Sequence, residues 1–274
     1  MCMSKEENYR DAGLEATLQE ALDNGHRVWV VGDVHGFHQT MEALVEQLAL
    51  SPEDWVVFLG DLIDRGPDSH GVVAAVKAHP RMTSVLGNHE AMMLEQFHAH
   101  RLATNDMDVR LWWQNGGSTT VYSYERAHRQ PNGKEDDAAM YATVNAHLQW
   151  LESLPTHIVL DAWRLVHAGY DPMQNLDEQS HDEYLWIRNP FHRADAPVDG
   201  QRTVLFGHTP TVSLPGHSPA DWGKVWNSPV KLGDGRPAAM GLDTCVYHRQ
   251  NGPKVLTAYD LQTGTVVQQA RIER

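Results

Sequence analysis

The chain has 274 residues, of which 41% are hydrophobic and 21% are charged, and its formal net charge at pH 7 is −14. This length and hydrophobic content fit one large α/β domain and exclude a tail or a linker. The acidic charge argues against nucleic acid or an acidic lipid surface as a partner. No apolar run approaches the roughly 18 residues of a membrane span, and the chain does not start like a signal peptide, so we expect a cytoplasmic protein.

The cysteine and histidine contents limit the kinds of site that the chain can form. The two cysteines, Cys2 and Cys245, stand at opposite ends of the chain, which excludes a disulfide framework and an all-thiolate zinc site. Histidine is unusually frequent, with 17 residues. The sequence therefore raises the question of which histidines occupy metal-ligand positions.

The first half of the chain predicts alternating helices and strands. Leu14, Leu18 and Leu22 recur at every fourth position before Asn24-Gly25, which predicts an amphipathic helix ended by a glycine. Three strand-helix units follow, and this β-α-β-α-β-α order favours a parallel sheet with right-handed crossovers. The predicted strands cover 27–31, 55–59 and 83–86, and the predicted helices cover 41–48, 70–79 and 90–100.

The second half is less regular. Turn residues between 101 and 135, with Asn115-Gly116-Gly117 among them, predict a loop-rich segment before a helix at 138–153. We therefore expect a single domain over 1–274, with a loop-rich and helical cap inserted at about 100–155. The second half is also expected to form a second sheet that packs on the first. Its predicted strands cover 157–160, 163–166, 203–206, 239–242, 255–259 and 266–271.

Glycine-flanked polar loops follow five of the predicted strands. The first three loops read GDVHG from Gly32, GDLIDRG from Gly60 and GNHE from Gly87. Two later strands end in VHAG, with His167, and in GHTP, with His208. Because the carboxyl ends of parallel strands meet at one crevice, we expect these polar side chains to lie close together. Carboxylate and imidazole ligands suit Mn²⁺, Fe and Zn²⁺, and one carboxylate can bridge two ions.

The order of these five blocks resembles the calcineurin-like metallophosphoesterase superfamily and, within it, the phosphoprotein phosphatase branch. The resemblance runs from about residue 27 to about residue 260. Two further stretches, WWQNGGSTTVYSY at 112–124 and LWIR at 185–188, are similar to bacterial members of that branch, such as serine/threonine phosphatases and symmetrical diadenosine tetraphosphate hydrolases. The resemblance implies an α/β fold of two packed mixed β-sheets flanked by helices, a four-layer αββα arrangement.

The resemblance also implies a binuclear metal site that attacks phosphoesters with a bridging hydroxide. It implies Mn²⁺ as the first choice for both ions, with Fe or Zn²⁺ as alternatives, and a phosphorylated protein or small phosphoester as the binding partner. The implied first-metal ligands are Asp33, His35 and Asp61, and the second-metal ligands are Asp61, Asn88, His167 and His208. The implied catalytic residues are the general acid His89, its partner Asp64, and the phosphate clamps Arg65 and Arg188.

One position departs from the phosphoprotein pattern. Leu86 stands before the GNHE block, where many phosphoprotein phosphatases carry an arginine. That phosphate contact is then either missing or supplied by another residue, such as Arg164 or Arg202. Leu86 also resembles the tetraphosphate hydrolases, whereas Asp64 follows the phosphoprotein pattern.

Three functions stay open on the sequence, and the first is favoured. It is hydrolysis of phosphomonoesters, above all phosphoserine and phosphothreonine in proteins, with phosphotyrosine as a further substrate. The second is symmetrical hydrolysis of dinucleoside polyphosphates, and the third is a non-catalytic phosphate-binding scaffold. Trp112 and Trp113 allow either stacking on a substrate ring or packing in the core. Asp243 resembles a family position near the active site.

Overall fold

The computed structural model describes residues 10–102, 109–131, 133, 136–250 and 252–274. Cys2 lies outside these ranges, and Cys245 is a buried free thiol. The helices are α1 (Ala12–Asp23), α2 (His38–Gln47), α3 (Ser69–Ala78), α4 (Asn88–Leu102), α5 (Val109–Gln114), α6 (Gly117–Ala127), α7 (Asp137–Glu152), α8 (His181–Trp186) and α9 (Asn189–His192). The strands are β1 (Val28–Val31), β2 (Trp55–Phe58), β3 (Met82–Ser84), β4 (His157–Val159), β5 (Trp163–Val166), β6 (Thr203–Phe206), β7 (Trp226–Asn227), β8 (Ala239–Gly241), β9 (Val255–Asp260) and β10 (Val266–Ala270).

The strands of the described residues form two mixed sheets of five strands each. The first sheet has the order β10-β9-β1-β2-β3, and the second has the order β4-β5-β6-β8-β7. Each sheet contains three neighbouring parallel strands, β1, β2 and β3 in the first and β5, β6 and β8 in the second. The predicted fold class is confirmed. The last two strands, however, return to the first sheet instead of extending the second: β9 lies antiparallel to β1, and β10 lies antiparallel to β9 at the edge of the sheet.

Alternating side chains hold the sheets and helices together. Val30 of β1 and Leu205 of β6 belong to one buried cluster that joins the facing sides of the two sheets. Phe58 of β2 points to the opposite face and shares a second cluster with Leu44 of α2 and Val73 of α3. Because successive side chains of a strand point to opposite faces, a strand that is apolar throughout can contact a sheet on one side and helices on the other.

The stretch predicted to be loop-rich is largely helical where it is described. Helices α5 and α6 account for most of it, and the prediction of loops is wrong for these residues. The turn signal at Asn115-Gly116-Gly117 marks a junction between two helices, since Gly116 has a φ of 112° directly before α6. Residues 103–108, 132, 134 and 135 of the predicted cap lie outside the described residues. The organisation as one domain with an inserted cap stays a prediction.

Several shorter elements had no clear sequence signal. Strand β7 and helices α8 and α9 were not predicted, although α8 begins with a capping box between Ser180 and Glu183. The last residues of the chain also have a defined place, because the Glu273 carboxylate accepts hydrogen bonds from the backbone of Gln39 and Thr40 at the start of α2. None of the described helices is long and apolar enough to cross a membrane.

Candidate active site at the strand ends of both sheets

The parallel strands of both sheets end at the same crevice. Loops from the two sheets touch there, because the backbone N–H of His208 donates to both carboxylate oxygens of Asp33, at 3.0 and 3.1 Å. A Cβ on Gly207 would lie 2.1 Å from Asp33 Oδ1, so this approach requires a glycine. The polar residues that follow the parallel strands are Asp33, Asp61 and Asn88 in the first sheet and His167, His208 and Asp243 in the second.

Asp61 lies at the centre of the crevice. Within the described residues, two groups of side chains place their potential ligand atoms within 4.8 Å of one another: His35, Asp61 and His89, and Asp61, His167 and His208. All five side chains are buried, and Asp61 belongs to both groups. We call these residues together the Asp61 cluster. A shared carboxylate is the arrangement that bridges two metal ions.

The first group directs a lone pair of His35 toward two carboxylates. His35 Nδ1 lies 2.9 Å from the carbonyl oxygen of Ile63. Since a carbonyl can only accept, Nδ1 carries the hydrogen, and Nε2 faces Asp61 Oδ2 at 3.5 Å and Asp33 Oδ2 at 3.9 Å. Burial lowers the pKa of His35 well below its usual value, which keeps the ring neutral. A neutral imidazole held in this way by a carbonyl is typical of a metal ligand.

The second group brings hydrogen-bond acceptors together. His167 Nδ1 donates to the carbonyl of Leu59 at 2.7 Å, so its Nε2 carries a lone pair. That Nε2 lies 2.8 Å from Asn88 Oδ1 and 3.3 Å from Asp61 Oδ1. His208 Nδ1 lies 3.0 Å from the same Asn88 oxygen. Burial lowers the pKa of both His167 and His208. The lone pair of His167 Nε2 thus converges with the side-chain oxygens of Asn88 and Asp61, and three such acceptors fit a divalent cation.

The electrostatics of the crevice also demand positive charge. Burial raises the pKa of Asp33 well above its usual value, and the nearby charges of Asp243 and Asp61 raise it further. Burial raises the pKa of Asp243 to about 6. For Asp61 burial alone would raise the pKa, but the electrostatic interactions with the nearby imidazoles, His167 first, and with the Arg65 guanidinium outweigh it and lower the pKa. Carboxylates this deeply buried are costly unless cations balance them.

His89 forms a pair with a buried carboxylate beside the Asp61 cluster. His89 Nδ1 lies 2.6 Å from Asp64 Oδ2, and the side chain of Asp64 is fully buried. The other ring nitrogen, Nε2, faces Asp61 Oδ2 at 3.8 Å. The backbone N–H of His89 donates to Asp61 Oδ1 at 3.1 Å. The structure therefore brings together the two residues that the sequence paired, with one imidazole nitrogen directed at the centre.

The two arginines reach the crevice from opposite sheets. The guanidinium of Arg65 lies against Nε2 of both His35 and His89. Its carbon Cζ is 4.2 Å from the ring centroid of Tyr247, a stacking contact that the sequence did not reveal. Arg188 Nη1 donates to Thr209 Oγ1 at 2.8 Å, and Thr209 follows His208 in the chain. Both guanidiniums therefore lie beside the residues that could hold metals.

Glu90 fixes the loops that carry the ligands and was not identified as a site residue from the sequence. Its two carboxylate oxygens accept backbone N–H groups from Asp61 at 2.8 Å, Leu62 at 2.8 Å, Ile63 at 3.2 Å and Gly87 at 3.1 Å. The side chain is fully buried. A signal was available, because this glutamate directly follows the ligand candidate Asn88 and the acid candidate His89 in GNHE.

The two arginines considered as replacements for the arginine missing at Leu86 bind a different carboxylate. Arg164 Nε lies 2.6 Å from Asp199 Oδ2, and Arg202 Nη1 lies 3.4 Å from the same oxygen. Both arginines therefore pair with Asp199 and not with a residue of the Asp61 cluster, which corrects the expectation. Leu86 itself is buried in the core, with 4% of the residue exposed.

Comparison with known proteins identifies the family. The sequence profile of calcineurin-like phosphoesterases matches residues 26–241. This chain belongs to the calcineurin-like phosphoesterase family. It is therefore a hydrolase of the kind that uses divalent metal ions on phosphoesters, and the predicted family and enzyme class are confirmed.

Named relatives of this calcineurin-like phosphoesterase include protein phosphatases and dinucleoside tetraphosphatases. The chain is 42% identical over 208 residues to serine/threonine-protein phosphatase 2 of Escherichia coli (strain K12), a match that covers 71% of this chain and 86% of that protein. It is 26% identical over 206 residues to an asymmetrical bis(5'-nucleosyl)-tetraphosphatase of Bacillus cereus (strain B4264), covering 66% and 78%.

A solved structure supports the fold alone. It is a serine/threonine phosphatase from Saccharomyces cerevisiae with a TM-score of 0.56 and 16% identity, and the match covers 97% of this chain and 92% of that one.

Proposed function

We propose that this calcineurin-like phosphoesterase hydrolyses phosphomonoesters at the Asp61 cluster, with phosphoserine and phosphothreonine in proteins as substrates and phosphotyrosine as a further one. The observation that carries this proposal is the 2.6 Å contact between His89 Nδ1 and Asp64 Oδ2, which leaves His89 Nε2 directed at the cluster. A histidine oriented by a carboxylate can protonate a leaving alkoxide. Serine and threonine alkoxides are poor leaving groups, so they need this proton most.

We assign two divalent ions to the cluster, with Mn²⁺ as the first choice and Fe or Zn²⁺ as alternatives. When bound, such ions neutralise phosphoryl oxygens and lower the pKa of water for in-line attack. The chain contributes neutral imidazoles, because His35 and His167 each hold their Nδ1 hydrogen on a backbone carbonyl. The proposed ligands are Asp33, His35 and Asp61 for one ion and Asp61, Asn88, His167 and His208 for the other.

Arg65 and Arg188 bind the phosphoryl group in this proposal. Each guanidinium is planar and permanently charged, so it can donate two parallel hydrogen bonds to phosphoryl oxygens. Arg65 approaches from the first sheet beside His89, and Arg188 approaches from the second sheet beside Thr209. The two clamps would orient the phosphorus with the leaving oxygen toward His89.

The test is hydrolysis of a phosphoserine peptide before and after chelation. We expect no turnover in the metal-stripped protein and recovery when Mn²⁺ is added back. His89→Ala in the metal-loaded protein is expected to lower the turnover of the peptide by about 10²-fold or more while the circular dichroism spectrum is unchanged. Full activity after chelation would contradict the proposal.

A second candidate function is hydrolysis of dinucleoside polyphosphates. Leu86 favours symmetrical hydrolysis, since no arginine stands before GNHE. The relative from Bacillus cereus supports the substrate class alone, because it is named for asymmetrical hydrolysis. Rates on the phosphopeptide and on diadenosine tetraphosphate, measured side by side with the same metal-loaded protein, separate the two. A non-catalytic scaffold is disfavoured, because no proposed ligand or acid position carries an unsuitable residue.

A further inference from the structure

The Asp64 carboxylate receives hydrogen bonds from three different side chains. His89 Nδ1 lies 2.6 Å from Oδ2, and Thr120 Oγ1 donates to Oδ1 at 2.6 Å. Trp112 Nε1 donates to both oxygens, at 3.1 and 3.0 Å. Trp112 and Thr120 lie on α5 and α6, in the stretch for which the proposed reaction has so far no role.

We propose that Trp112 and Thr120 are positioning residues for protonation of the leaving group. The inference rests on the proposed function, in which His89 is the proton donor. As the P–O bond breaks, its electron pair goes to the leaving oxygen, which takes the proton from His89 Nε2. The attacking water supplies the oxygen of the new P–O bond and the proton that later restores His89. Trp112 and Thr120 fix the carboxylate of Asp64, and that carboxylate fixes the imidazole.

The carboxylate needs these donors because it is fully buried. An ionised carboxylate in the interior is costly unless its lone pairs are hydrogen-bonded, and one with a single partner is free to rotate. With Oδ1 bound to Thr120 and both oxygens bound to Trp112, the plane of the Asp64 carboxylate is set and Oδ2 faces His89. The imidazole then keeps its Nε2 toward the Asp61 cluster.

Thr120 also holds the backbone of Asp64. The N–H of Asp64 lies 3.0 Å from Thr120 Oγ1 and 3.0 Å from Ser69 Oγ. Asp64 has a φ of 72°, a left-handed conformation that residues other than glycine adopt only when the surroundings determine it. One threonine therefore binds both the strained backbone and the side chain of the residue that orients His89.

The glycines between Trp112 and Thr120 make this placement possible. A Cβ on Gly117 would lie 2.6 Å from the Trp112 ring, so the indole can reach Asp64 only across a glycine. A Cβ on Gly116 would lie 3.0 Å from the backbone nitrogen of Arg65. The Asn115-Gly116-Gly117 junction thus brings two hydrogen-bond donors against the loop that carries Asp64 and Arg65.

The test compares two substrates that differ only in how much their leaving group needs a proton. The manganese-loaded protein hydrolyses phenyl phosphate, with a poor leaving group, and 2,4-dinitrophenyl phosphate, which departs without protonation. Thr120→Val keeps the shape of the side chain and removes the hydroxyl. We expect kcat on phenyl phosphate to fall by about tenfold or more, part of the roughly 10²- to 10⁴-fold that a general acid contributes, and kcat on the dinitrophenyl ester to stay within about twofold.

Three further variants sharpen the comparison. Trp112→Phe removes the Nε1 donor and is expected to show the same selective loss, independently of Thr120→Val. Thr120→Ser retains the hydroxyl and is expected to keep the activity on phenyl phosphate. Thr119→Val is the matched control, since Thr119 Oγ1 donates to the carbonyl of Gly116 at 2.9 Å and does not bind Asp64. We expect no selective loss from it.

Failure of this inference is distinguishable from failure of the proposed function. His89→Ala is expected to show the same leaving-group selectivity with a larger loss. If His89→Ala slows both esters equally, the role of His89 is wrong. If His89→Ala is selective but Thr120→Val and Trp112→Phe slow both esters equally or neither, the positioning role alone is overturned. Melting curves identify a misfolded variant, and the other variant then decides the outcome.

Discussion

The two sheets bring different chemistry to the same crevice. The loops of the first sheet carry the shared carboxylate Asp61 and the pair of Asp64 with Arg65, and all three residues have positive φ angles. The second sheet contributes the imidazoles His167 and His208, whose pKa values burial lowers. His208 also has a positive φ, of 60°, so both sheets present site residues on strained loops. The first sheet provides the shared carboxylate, and the second provides neutral imidazole ligands. Strain of this kind persists only where surrounding contacts determine it, which for the first sheet means Glu90, Thr120 and Ser69.

Asp61 is the residue whose loss should affect both sides of this comparison most. Asp61→Asn removes the shared carboxylate, so we expect both ions to bind weakly. Loss of a residue that hydrogen-bonds to a metal ligand lowers metal affinity or activity by about 10- to 100-fold. Loss of a ligand shared by both ions should therefore lower kcat by more than about 10²-fold. Metal content by elemental analysis, with turnover on phenyl phosphate, checks this.

Single-ligand variants provide the control for Asp61→Asn. His35→Gln, from the first sheet, and His167→Gln, from the second, should each release one ion and retain the other. If Asp61→Asn retains both ions while either histidine variant releases both, Asp61 does not bridge two metals.

A Glu90 variant should show how much the stability of the first-sheet loops depends on this buried carboxylate, which has no role in substrate binding. Glu90→Gln replaces one acceptor oxygen by an NH₂ group that faces backbone N–H donors. We expect the free energy of unfolding in urea to fall by about 2 to 3 kcal/mol, since each unsatisfied buried donor costs about 1 to 3 kcal/mol. Glu152→Gln, at an exposed position on α7, is the matched control and should change it little. Equal values for the two variants would contradict the role of Glu90.

On the side of the second sheet, His192 should have a smaller effect on the free energy of unfolding, and this effect should depend on pH. His192 stacks on Phe206 of β6, with ring centroids 5.2 Å apart, and burial lowers its pKa from 6.5 to about 4. The unfolded chain therefore binds the proton more readily than the folded one. The stability that His192 contributes is present above pH 6.5 and is lost as the pH falls toward about 4.

His192→Phe should flatten this dependence. One group accounts for at most about 1.4 kcal/mol per pH unit. Urea unfolding of both proteins between these two pH values measures the difference in slope. An unchanged slope would show that His192 is not neutral in the folded protein.

Much of the candidate site was predictable because its residues directly follow recognisable strands. Asp61 and His208 stand within glycine-flanked loops after apolar runs, and parallel strands bring such loops together without any knowledge of packing. The role of Trp112 could not be assigned from the sequence, because its partner is distant along the chain. Its distance from Asp64 along the chain is 48 residues, and no local pattern states which strand loop a helix will cover. The failed expectation for Arg164 has the same origin, since its partner Asp199 is 35 residues away in the chain.

The sequence by itself determined the family, the enzyme class, the alternation of strands and helices, and which polar residues end the parallel strands. These depend on local periodicity and on motifs within single loops. Tertiary structure decided the rest. The last strands return to the first sheet, and the turn at Gly116-Gly117 joins two helices. Trp112 and Thr120 bind Asp64. The physical reason is that such contacts arise only after distant segments pack, and their partners leave no mark on the residues nearby.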